Sequence, residues 1–390
     1  MRLKSRRAWH VITGEYPPDP GGVSDYTQLV ARGLVAAGDE VHVWAPGREG
    51  TPSNDEGVSV HRLKNRFDPK GVAELARGLD ETPGDKRILL EYVPNAFGWK
   101  AMNVPFTAWM VTRREKVWAM FHEVATPWDS GAKRRARDLV LGAVTRAEAI
   151  AIATRADKMF VSVPAWEKLL RGFVPRFRGA DWAPIPSNTP IEPDADQLAR
   201  KLAAKKKDGE GVKWIGHFGT YGGPLTKMLE PMLVQLLEKD ASRFAMLLGR
   251  RSDTFARNLP PNLLKRVRAQ GAQTPEQIAA NLAACDVVLQ PYPDGISSRR
   301  TSAMASIALG RAVVSHEGAQ TESIWRERHA VVLARDESPE AFVHATEPLL
   351  HNSALAEEIG HKAHALYREQ FSIERAVERF REAARKEDAQ

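Results

Sequence analysis

A strand pattern that runs straight into a glycine-rich loop and then into a helix occurs twice in this sequence. The first copy joins the apolar residues 8–13 to a loop rich in Pro and Gly, after which Ser24 is expected to cap a helix. The second copy joins the apolar residues 213–218 to the glycine-rich residues 219–224. Strand and helix patterns alternate after each copy. This order predicts βαβ units, and therefore parallel sheets covered by helices.

One proline-rich stretch interrupts the alternation. Residues 184–193 contain four prolines, and a lysine triplet follows at 205–207. We therefore predict an exposed linker between two domains, which agrees with a length of 390 residues. The predicted fold class is α/β, with two facing Rossmann-like domains and a ligand cleft between them. The N-terminal domain is expected to cover residues 1–190 and the C-terminal domain 191–370, with a final amphipathic helix, 371–390, crossing back to the first domain.

The composition is that of a soluble globular protein, with 43% hydrophobic and 27% charged residues. The single cysteine, Cys285, excludes an intramolecular disulfide and a multi-cysteine metal site, and its place before a strand predicts a core position. No apolar run approaches the roughly 18 residues that span a bilayer. The basic residues 1–7 precede an apolar stretch that is too short for a signal peptide. These features predict a cytoplasmic protein.

The net charge of +7 permits anionic partners without naming one. The lysine triplet at 205–207 has no interleaved aromatic residues, which disfavours nucleic acid and favours a solvated linker. A basic helix is predicted from about residue 130 to residue 154, and its cations are Lys133, Arg134, Arg135 and Arg137. A solvated face is one interpretation of this helix. Peripheral contact with anionic lipid headgroups is the other.

Residues 291–310 are the most informative stretch of the chain. They follow a strand pattern at 286–290, pass through a polar turn with Gly295, Arg299 and Arg300, and enter a helix of small residues. In open α/β sheets, ligands bind at the carboxyl ends of the strands, and a helix start favours an anion there. Guanidinium groups match phosphate geometry. The stretch predicts a phosphate-bearing ligand, most simply a nucleotide derivative, although the dinucleotide fingerprint G-x-G-x-x-G is absent.

Two features of the first half are expected at a similar sheet edge. Gly21 and Gly22 precede the first helix, where they form either a tight turn or a close approach to a ligand. His122 directly follows the strand pattern at 116–121. It is either a structural histidine or a ligand-binding one, and its place at the sheet edge makes the second interpretation competitive.

In this order, several motifs resemble those of a known family. They are Gly21-Gly-Val23, Glu91-Tyr-Val-Pro-Asn-Ala-Phe97, Phe121-His-Glu123, Val161-Ser-Val-Pro-Ala-Trp166, Pro186-Ser-Asn188, Phe218-Gly-Thr-Tyr-Gly222 and the stretch 291–310. Over nearly its whole length the chain resembles the retaining glycosyltransferases of family 4, which have the GT-B fold and use nucleotide-sugar donors. The resemblance implies transfer of a sugar with retained anomeric configuration, without an obligatory metal and without a cofactor besides the donor substrate. The acceptor it implies is a sugar, a lipid-linked molecule or a small molecule.

The sequence departs from the family at the donor site. The family's two acids, eight residues apart, fall on Asp294 and Ser302. A serine does not accept two ribose hydroxyls as a carboxylate does. The family's Arg position falls on Thr220, and Lys227 is the candidate for its Lys. We therefore expect two arginines to replace the missing diphosphate contacts. They are Arg299 and Arg300, in the loop after the strand pattern at 286–290, which is called the central loop below.

The resemblance assigns the following roles. His122 and Asp294 are the candidate catalytic residues. The candidate donor-binding residues are Gly21, Gly22, Gly219, Thr220, Lys227, Gly295, Ile296, Ser297, Arg299, Arg300 and Ser302. Lys227, the arginines and the backbone N–H groups of Gly219 and of the Ile296-Ser297 segment are expected to hold the diphosphate.

Three alternatives remain open at this stage. A catalytically degenerate GT-B protein that binds a nucleotide sugar or a partner is the first, and Ser302 is its best support. A GT-B sugar-nucleotide epimerase is the second. A nucleic-acid binder is the third and has the least support in the sequence.

Overall fold

The structure is a computed structural model that describes residues 7–47, 53–126 and 136–389. The chain forms two compact units. The first takes in residues up to Pro184 and from Ala376 onward, and the second runs from Ile185 to Arg375. The linker prolines predict the first of these boundaries at residue 190. The final helix pattern predicts the second at residue 370.

Within the described residues, the first unit contains an eight-stranded sheet in the order β3-β4-β2-β1-β5-β6-β7-β8. Its strands are β1 (Ala8–Thr13), β2 (Val41–Pro46), β3 (Asn54–Asp55), β4 (Val58–Leu63), β5 (Lys86–Tyr92), β6 (Lys116–Phe121), β7 (Lys158–Val161) and β8 (Asp181–Trp182). All neighbours are parallel except β3 and β4, which form an antiparallel edge pair. Since β1, β5 and β6 are buried on both faces, most of their residues are apolar.

Helices cover both faces of this sheet. They are α1 (Gly22–Ala36), α2 (Pro69–Glu81), α3 (Val104–Thr112), α4 (Ala136–Arg155) and α5 (Pro164–Phe173), together with the C-terminal helix α14 (Ile373–Ala389). Helix α14 packs through Phe380, whose ring centroid lies 6.3 Å from that of Trp9 and 4.8 Å from that of Phe160. The predicted basic helix begins in residues 127–135, which lie outside the described residues; its described part is α4.

A buried arginine joins β5 to the last turn of α14. Arg87 is 2% exposed, and its guanidinium carbon lies 5.0 Å from the ring centroid of Trp9 and 4.7 Å from that of Trp118. The same guanidinium bonds to the carboxylates of Glu387 and Asp388 at 2.9 and 3.0 Å. Burying a cation is costly unless it is paired, so these two acids fix the end of α14 against the sheet.

Within the described residues, the second unit contains a six-stranded parallel sheet in the order β11-β10-β9-β12-β13-β14. Its strands are β9 (Lys213–Phe218), β10 (Arg243–Leu248), β11 (Val267–Ala269), β12 (Val287–Leu289), β13 (Ala312–His316) and β14 (Val332–Ala334). Its helices are α6 (Ala195–Asp208), α7 (Gly223–Lys239), α8 (Ser252–Ala256), α9 (Pro275–Ala283), α10 (Thr301–Ala308), α11 (Ile324–Glu327), α12 (Pro339–His351) and α13 (Ser353–Leu366). The predicted α/β class with two parallel sheets is confirmed.

One further sequence prediction is confirmed, and one is wrong. Cys285 is buried, as its place before a strand predicts. The lysine triplet, expected in a solvated linker, instead ends helix α6. Lys205 bonds to the carboxylate of Asp286, so this part of the chain packs on the second sheet. None of the helices in the described ranges is long and apolar enough to cross a bilayer.

Candidate functional site

In each sheet, the chain adds strands on one side of the first strand and then crosses to add strands on its other side. In the first sheet this crossing point lies between β1 and β5, and in the second it lies between β9 and β12. Open α/β sheets bind ligands outside the carboxyl ends of the strands at such a switch point. The loops that follow these strands are therefore the candidate sites, one set in each unit.

His122 directly follows β6 and is held by a buried carboxylate. Its Nε2 lies 2.7 Å from Oε2 of Glu91, a fully buried residue of β5. The ring of Tyr26, from α1, meets the imidazole edge-on with a centroid distance of 4.8 Å and an interplanar angle of 77°. The side chain of His122 is 7% exposed. The imidazole is therefore clamped, with only a small part of its surface accessible.

The main chain of His122 is also fixed. Its N–H donates to the carbonyl of Tyr92 at 3.1 Å. Its carbonyl accepts from Oγ of Ser162 at 3.2 Å and from Nε1 of Trp166 at 2.8 Å. Nδ1 is the ring nitrogen that bonds to no side chain or backbone group of the described residues. Any hydrogen bond that His122 offers to a ligand comes from Nδ1.

Glu91 is a functional candidate that the sequence analysis names only within a motif. Burial raises the pKa of its carboxyl group, and the hydrogen bond with His122 opposes this shift. Its Oε1 is buried and makes no hydrogen bond within the described part of the chain. The available sequence signal is a carboxylate that directly follows the apolar residues 88–90 of β5, because such a group is costly to bury without a partner.

The glycine pair lies at the start of α1, and the Glu15 carboxylate fills the space beside it. Oε1 of Glu15 accepts from the backbone N–H groups of Val23 and Ser24, both at 3.1 Å. A Cβ on Gly21 would lie 2.2 Å from this oxygen, whereas one on Gly22 would meet no atom within 4 Å. Glu15 thus caps α1, and the prediction that Ser24 caps it is wrong. Contact of either glycine with a ligand stays a prediction.

In the second unit, the loop after β9 begins with Gly219. Its N–H donates to the carbonyl of Leu248 at 3.1 Å, so the expected use of this N–H for a diphosphate is wrong in this conformation. The loop is also tightly packed, because a Cβ on Gly249 would lie 2.0 Å from the Gly219 carbonyl oxygen. Thr220, the next residue, is exposed.

The start of α7 follows this loop and is uncapped. Gly222 precedes the helix, and no side chain among the described residues caps its first turn. The first turn of a helix leaves backbone N–H groups unsatisfied and carries partial positive charge. Lys227 lies one turn further along and is exposed. The helix start and this lysine together provide a favourable place for an anion.

Asp294, at the turn after β12, pairs with both arginines of the central loop. Nη2 of Arg299 lies 3.3 Å from Oδ2 of Asp294, and Arg300 bonds to Oδ1. The guanidinium carbon of Arg300 lies 4.9 Å from the ring centroid of Tyr292. Two cations share one carboxylate, so the cluster keeps one net positive charge. A guanidinium has five N–H donors, and Arg300 directs its Nη2 group to Asp294, which leaves its Nη1 group for a further anion.

Ser302, at the family's second acidic position, belongs to a neutral network. Its Oγ lies 2.8 Å from the hydroxyl of Tyr292, which donates to Oε1 of Gln290 at 2.8 Å. Nε2 of Gln290 donates to the carbonyls of Phe218 and Ser302 at 3.2 and 3.3 Å. The network ties the ends of β9 and β12 together. It contains no carboxylate, so the ribose contact expected of the family has no equivalent acid here.

The remaining loop candidates are mainly structural. Gly295 has a φ of 79°, where glycine is favoured, and a Cβ there would lie 2.2 Å from a backbone nitrogen of the loop after β13. The N–H of Ile296 donates to the carbonyl of His316 at 3.1 Å, so its expected use for a diphosphate is wrong in this conformation. Ser297 is fully buried. Roles of these residues in donor binding stay predictions.

A second buried carboxylate, missed by the sequence analysis, holds this loop from behind. Glu322 accepts from the N–H and Oγ of Ser298, at 2.9 and 2.6 Å, and from Nε1 of Trp325 at 2.7 Å. Burial raises the pKa of Glu322, while these donors oppose the shift. The shape of the loop that carries Arg299 and Arg300 therefore depends on Glu322.

The candidates form two groups. Thr220, Lys227, Asp294, Arg299, Arg300 and Ser302 lie in loops and first helical turns after β9 and β12, at the switch point of the second sheet. Gly21, Gly22 and His122 lie at the corresponding edge of the first sheet. No group of three His, Cys, Asp or Glu side chains is placed to hold a metal ion in the described ranges.

Comparison with known proteins identifies the fold. No family model matches the sequence, and no curated protein matches it. Sucrose-phosphate synthase from Thermosynechococcus elongatus superposes with a TM-score of 0.74 at 17% identity, covering 98% of this chain and 100% of that one. A glycosyltransferase from Rickettsia africae gives 0.72 at 13% identity, covering 97% and 98%. HepE from Anabaena, solved in complex with UDP-glucose, gives 0.68 at 16% identity, covering 97% and 99%. These neighbours are GT-B glycosyltransferases, and the chain has the GT-B fold.

Proposed function

We propose that this GT-B chain is a glycosyltransferase that binds a nucleotide-sugar donor at the carboxyl edge of its second sheet. The observation that carries the proposal is the uncapped start of α7 at a switch point that also bears Lys227, Arg299 and Arg300. Helix starts and guanidinium groups bind diphosphates well. HepE, which shares the fold, was solved with UDP and with UDP-glucose, which supports a donor of this class.

The chemistry required of this site is to stabilise a departing diphosphate. Negative charge develops on the leaving oxygen as the glycosidic bond breaks, and preorganised positive charge lowers that barrier. Arg299 and Arg300 are preorganised by their shared carboxylate, Asp294, because each donates to a different oxygen of it. Lone pairs of Asp294 that the arginines leave unused accept hydroxyl groups of the donor sugar.

The finer features of the reaction follow the family resemblance. We expect transfer with retention of anomeric configuration and without a metal, since side-chain cations and the α7 start neutralise the diphosphate. The acceptor is a hydroxyl-bearing sugar, lipid-linked molecule or small molecule. His122 binds a hydroxyl group of the donor sugar or of the acceptor.

Binding and turnover are tested separately. Calorimetric titration of the full chain with a panel of nucleoside diphosphates and their sugars identifies the donor. Arg300→Ala should weaken its binding at least about tenfold, the loss expected for one charge-assisted contact. Lys362→Ala removes one exposed cation from α13 of the same unit and should leave the affinity unchanged. Equal affinities for both variants would contradict the assignment of Arg300 to the diphosphate.

One structural observation favours a second candidate, a nucleotide-sugar binder without transfer activity. The neutral network around Ser302 stands where the family has an acid, and it contains no base or anion. Nucleotide release in the presence of the bound donor and an acceptor panel distinguishes the two. Tight binding with no release for any acceptor supports the binder.

A further inference from the structure

We propose that Glu91 is the positioning residue for His122, and that it leaves Nδ1 of the imidazole to bind a hydroxyl group of the substrate. The inference rests on the proposed function and names the chemical group that the first unit recognises. It concerns a residue to which neither the motifs nor the comparisons give a role.

The first argument is that the ring and the backbone of His122 are both held in place. Nε2 of His122 is engaged by Glu91 at 2.7 Å, and Tyr26 packs edge-on against the ring. Both backbone polar groups of His122 are bonded as well. A histidine that is merely buried needs no such control of its ring orientation. Control of this kind is what binding a substrate group in one geometry requires.

The second argument concerns which ring nitrogen of His122 carries the proton. When Glu91 is ionised it can only accept, and it then holds the proton of a neutral imidazole on Nε2 and leaves the lone pair on Nδ1. A lone pair on Nδ1 accepts a hydrogen bond from a hydroxyl group and repels a phosphate oxygen. The first unit therefore presents a hydroxyl acceptor, whereas the cations that suit phosphate lie on the second unit.

The third argument is that the pair is a poor way to stabilise the fold. Both residues are buried, and Oε1 of Glu91 has no hydrogen bond within the described residues. A buried carboxylate with an unpaired oxygen costs free energy, and an apolar side chain at the same place would avoid that cost. The neighbouring positions of β5 are apolar. The carboxylate is thus explained by control of His122 rather than by packing.

The test measures the imidazole itself as well as activity. In full-length protein labelled with ¹⁵N-histidine, the His122 signals, assigned through their loss in His122→Asn, should show a protonated Nε2 and an unprotonated Nδ1. In Glu91→Ala this preference should be lost. Glu148→Gln changes another buried carboxyl group of the same unit and should leave the His122 spectrum as in the parent protein.

Turnover gives the second measurement. Glu91→Ala should lower kcat by roughly 100-fold with a much smaller change in KM for the donor, and Glu91→Gln should restore part of the loss. In a His122→Ala background, Glu91→Ala should have no further effect. A parental spectrum with the proton on Nδ1, or parental kcat in Glu91→Ala, overturns the proposal. Absence of turnover with every donor counts against the proposed function, while the spectrum still decides the role of Glu91.

Discussion

The two units begin in the same way, with a strand, a glycine-rich loop and a helix, but the two helix starts differ. In the first unit, Glu15 places its carboxylate on the N–H groups of Val23 and Ser24 at the start of α1. In the second unit, the start of α7 follows Gly222 and has no side-chain cap among the described residues. One helix start is already neutralised by the protein, and the other is left for a ligand.

A glycine next to a helix start therefore has a different role in each unit. Gly21 makes room for a carboxylate of the same chain, since a Cβ there would lie 2.2 Å from Glu15 Oε1. Gly222 has open space around it and leaves the helix start uncapped. An anionic donor is therefore expected at α7 and not at α1. The sequence pattern alone is the same in both places.

The largest expected effect comes from making α7 resemble α1. Gly222 has φ −89° and ψ 158°, which suit a capping residue, and a Cβ there meets no atom within 4 Å. Gly222→Asp should therefore cap the helix and repel a diphosphate, lowering donor affinity by about 100-fold while thermal stability is kept or raised. Gly222→Asn supplies the same cap without the charge and should lose much less affinity. Calorimetric titration measures both, and unchanged affinity in Gly222→Asp would place the anion elsewhere.

The next effect concerns the close contact between Gly21 and the Glu15 carboxylate in the first unit. Gly21→Ala should displace the Glu15 carboxylate and lower the free energy of unfolding by about 1.5 kcal/mol, the value of a lost cap. Gly22→Ala is the matched control and should cost only a few tenths of that, because the site is open. Denaturant unfolding of both variants, and of Gly21→Ala in a Glu15→Ala background, tests the cause. If the double variant is less stable than Glu15→Ala by the full 1.5 kcal/mol, Glu15 is not what Gly21 accommodates.

Glu148 gives the opposite case, a carboxyl group that no helix start or cation of the described residues compensates. It is 5% exposed, and burial raises its pKa to about 7. Because the folded pKa exceeds the unfolded value of 4.5, the ionised form destabilises the fold fully above pH 7, and this penalty disappears as the pH falls toward 4.5. Glu148→Gln should therefore raise the free energy of unfolding by about 1 kcal/mol at pH 8 and by much less at pH 5. A gain that is the same at both pH values would show that ionisation is not the cause.

The smallest effect isolates the charge at the start of α1. Glu15→Gln keeps an oxygen that can accept from both N–H groups and removes only the charge. Unfolding should become easier by about 0.5 kcal/mol at low salt, and the difference should shrink at high salt. A salt-independent loss would mean that hydrogen-bond geometry, and not the helix dipole, is what Glu15 contributes.

Much of the fold could be predicted from local patterns. The strands β1, β6 and β9 match the strand patterns at 8–13, 116–121 and 213–218 because each is a mostly apolar run that ends at a loop. The strands β3, β8 and β11 have two or three residues and carry no periodic signal. The sequence pattern misses the packing of Lys205 because its partner, Asp286, lies 81 positions away along the chain.

The candidate site was predictable in position and less so in detail. Parallel strands end at one edge, so the loops that carry His122 and Asp294 could be located from the sequence. Pairing of Glu91 with His122, and of Asp294 with Arg299 and Arg300, depends on side-chain directions that spacing does not encode. The sequence does not reveal that the N–H groups of Gly219 and Ile296 bond to backbone carbonyls, because these partners come together only when the sheet is assembled.

The bond between Arg87 and the end of α14 has a consequence for biosynthesis. The first unit is interrupted in the chain by the whole of the second, since most of its final helix is translated after Arg375. Until Glu387 and Asp388 leave the ribosome, Arg87 and the tryptophans on either side of it lack their cover. The second unit, a single continuous segment, can finish folding while the first still waits, so the half that is made first is expected to mature last.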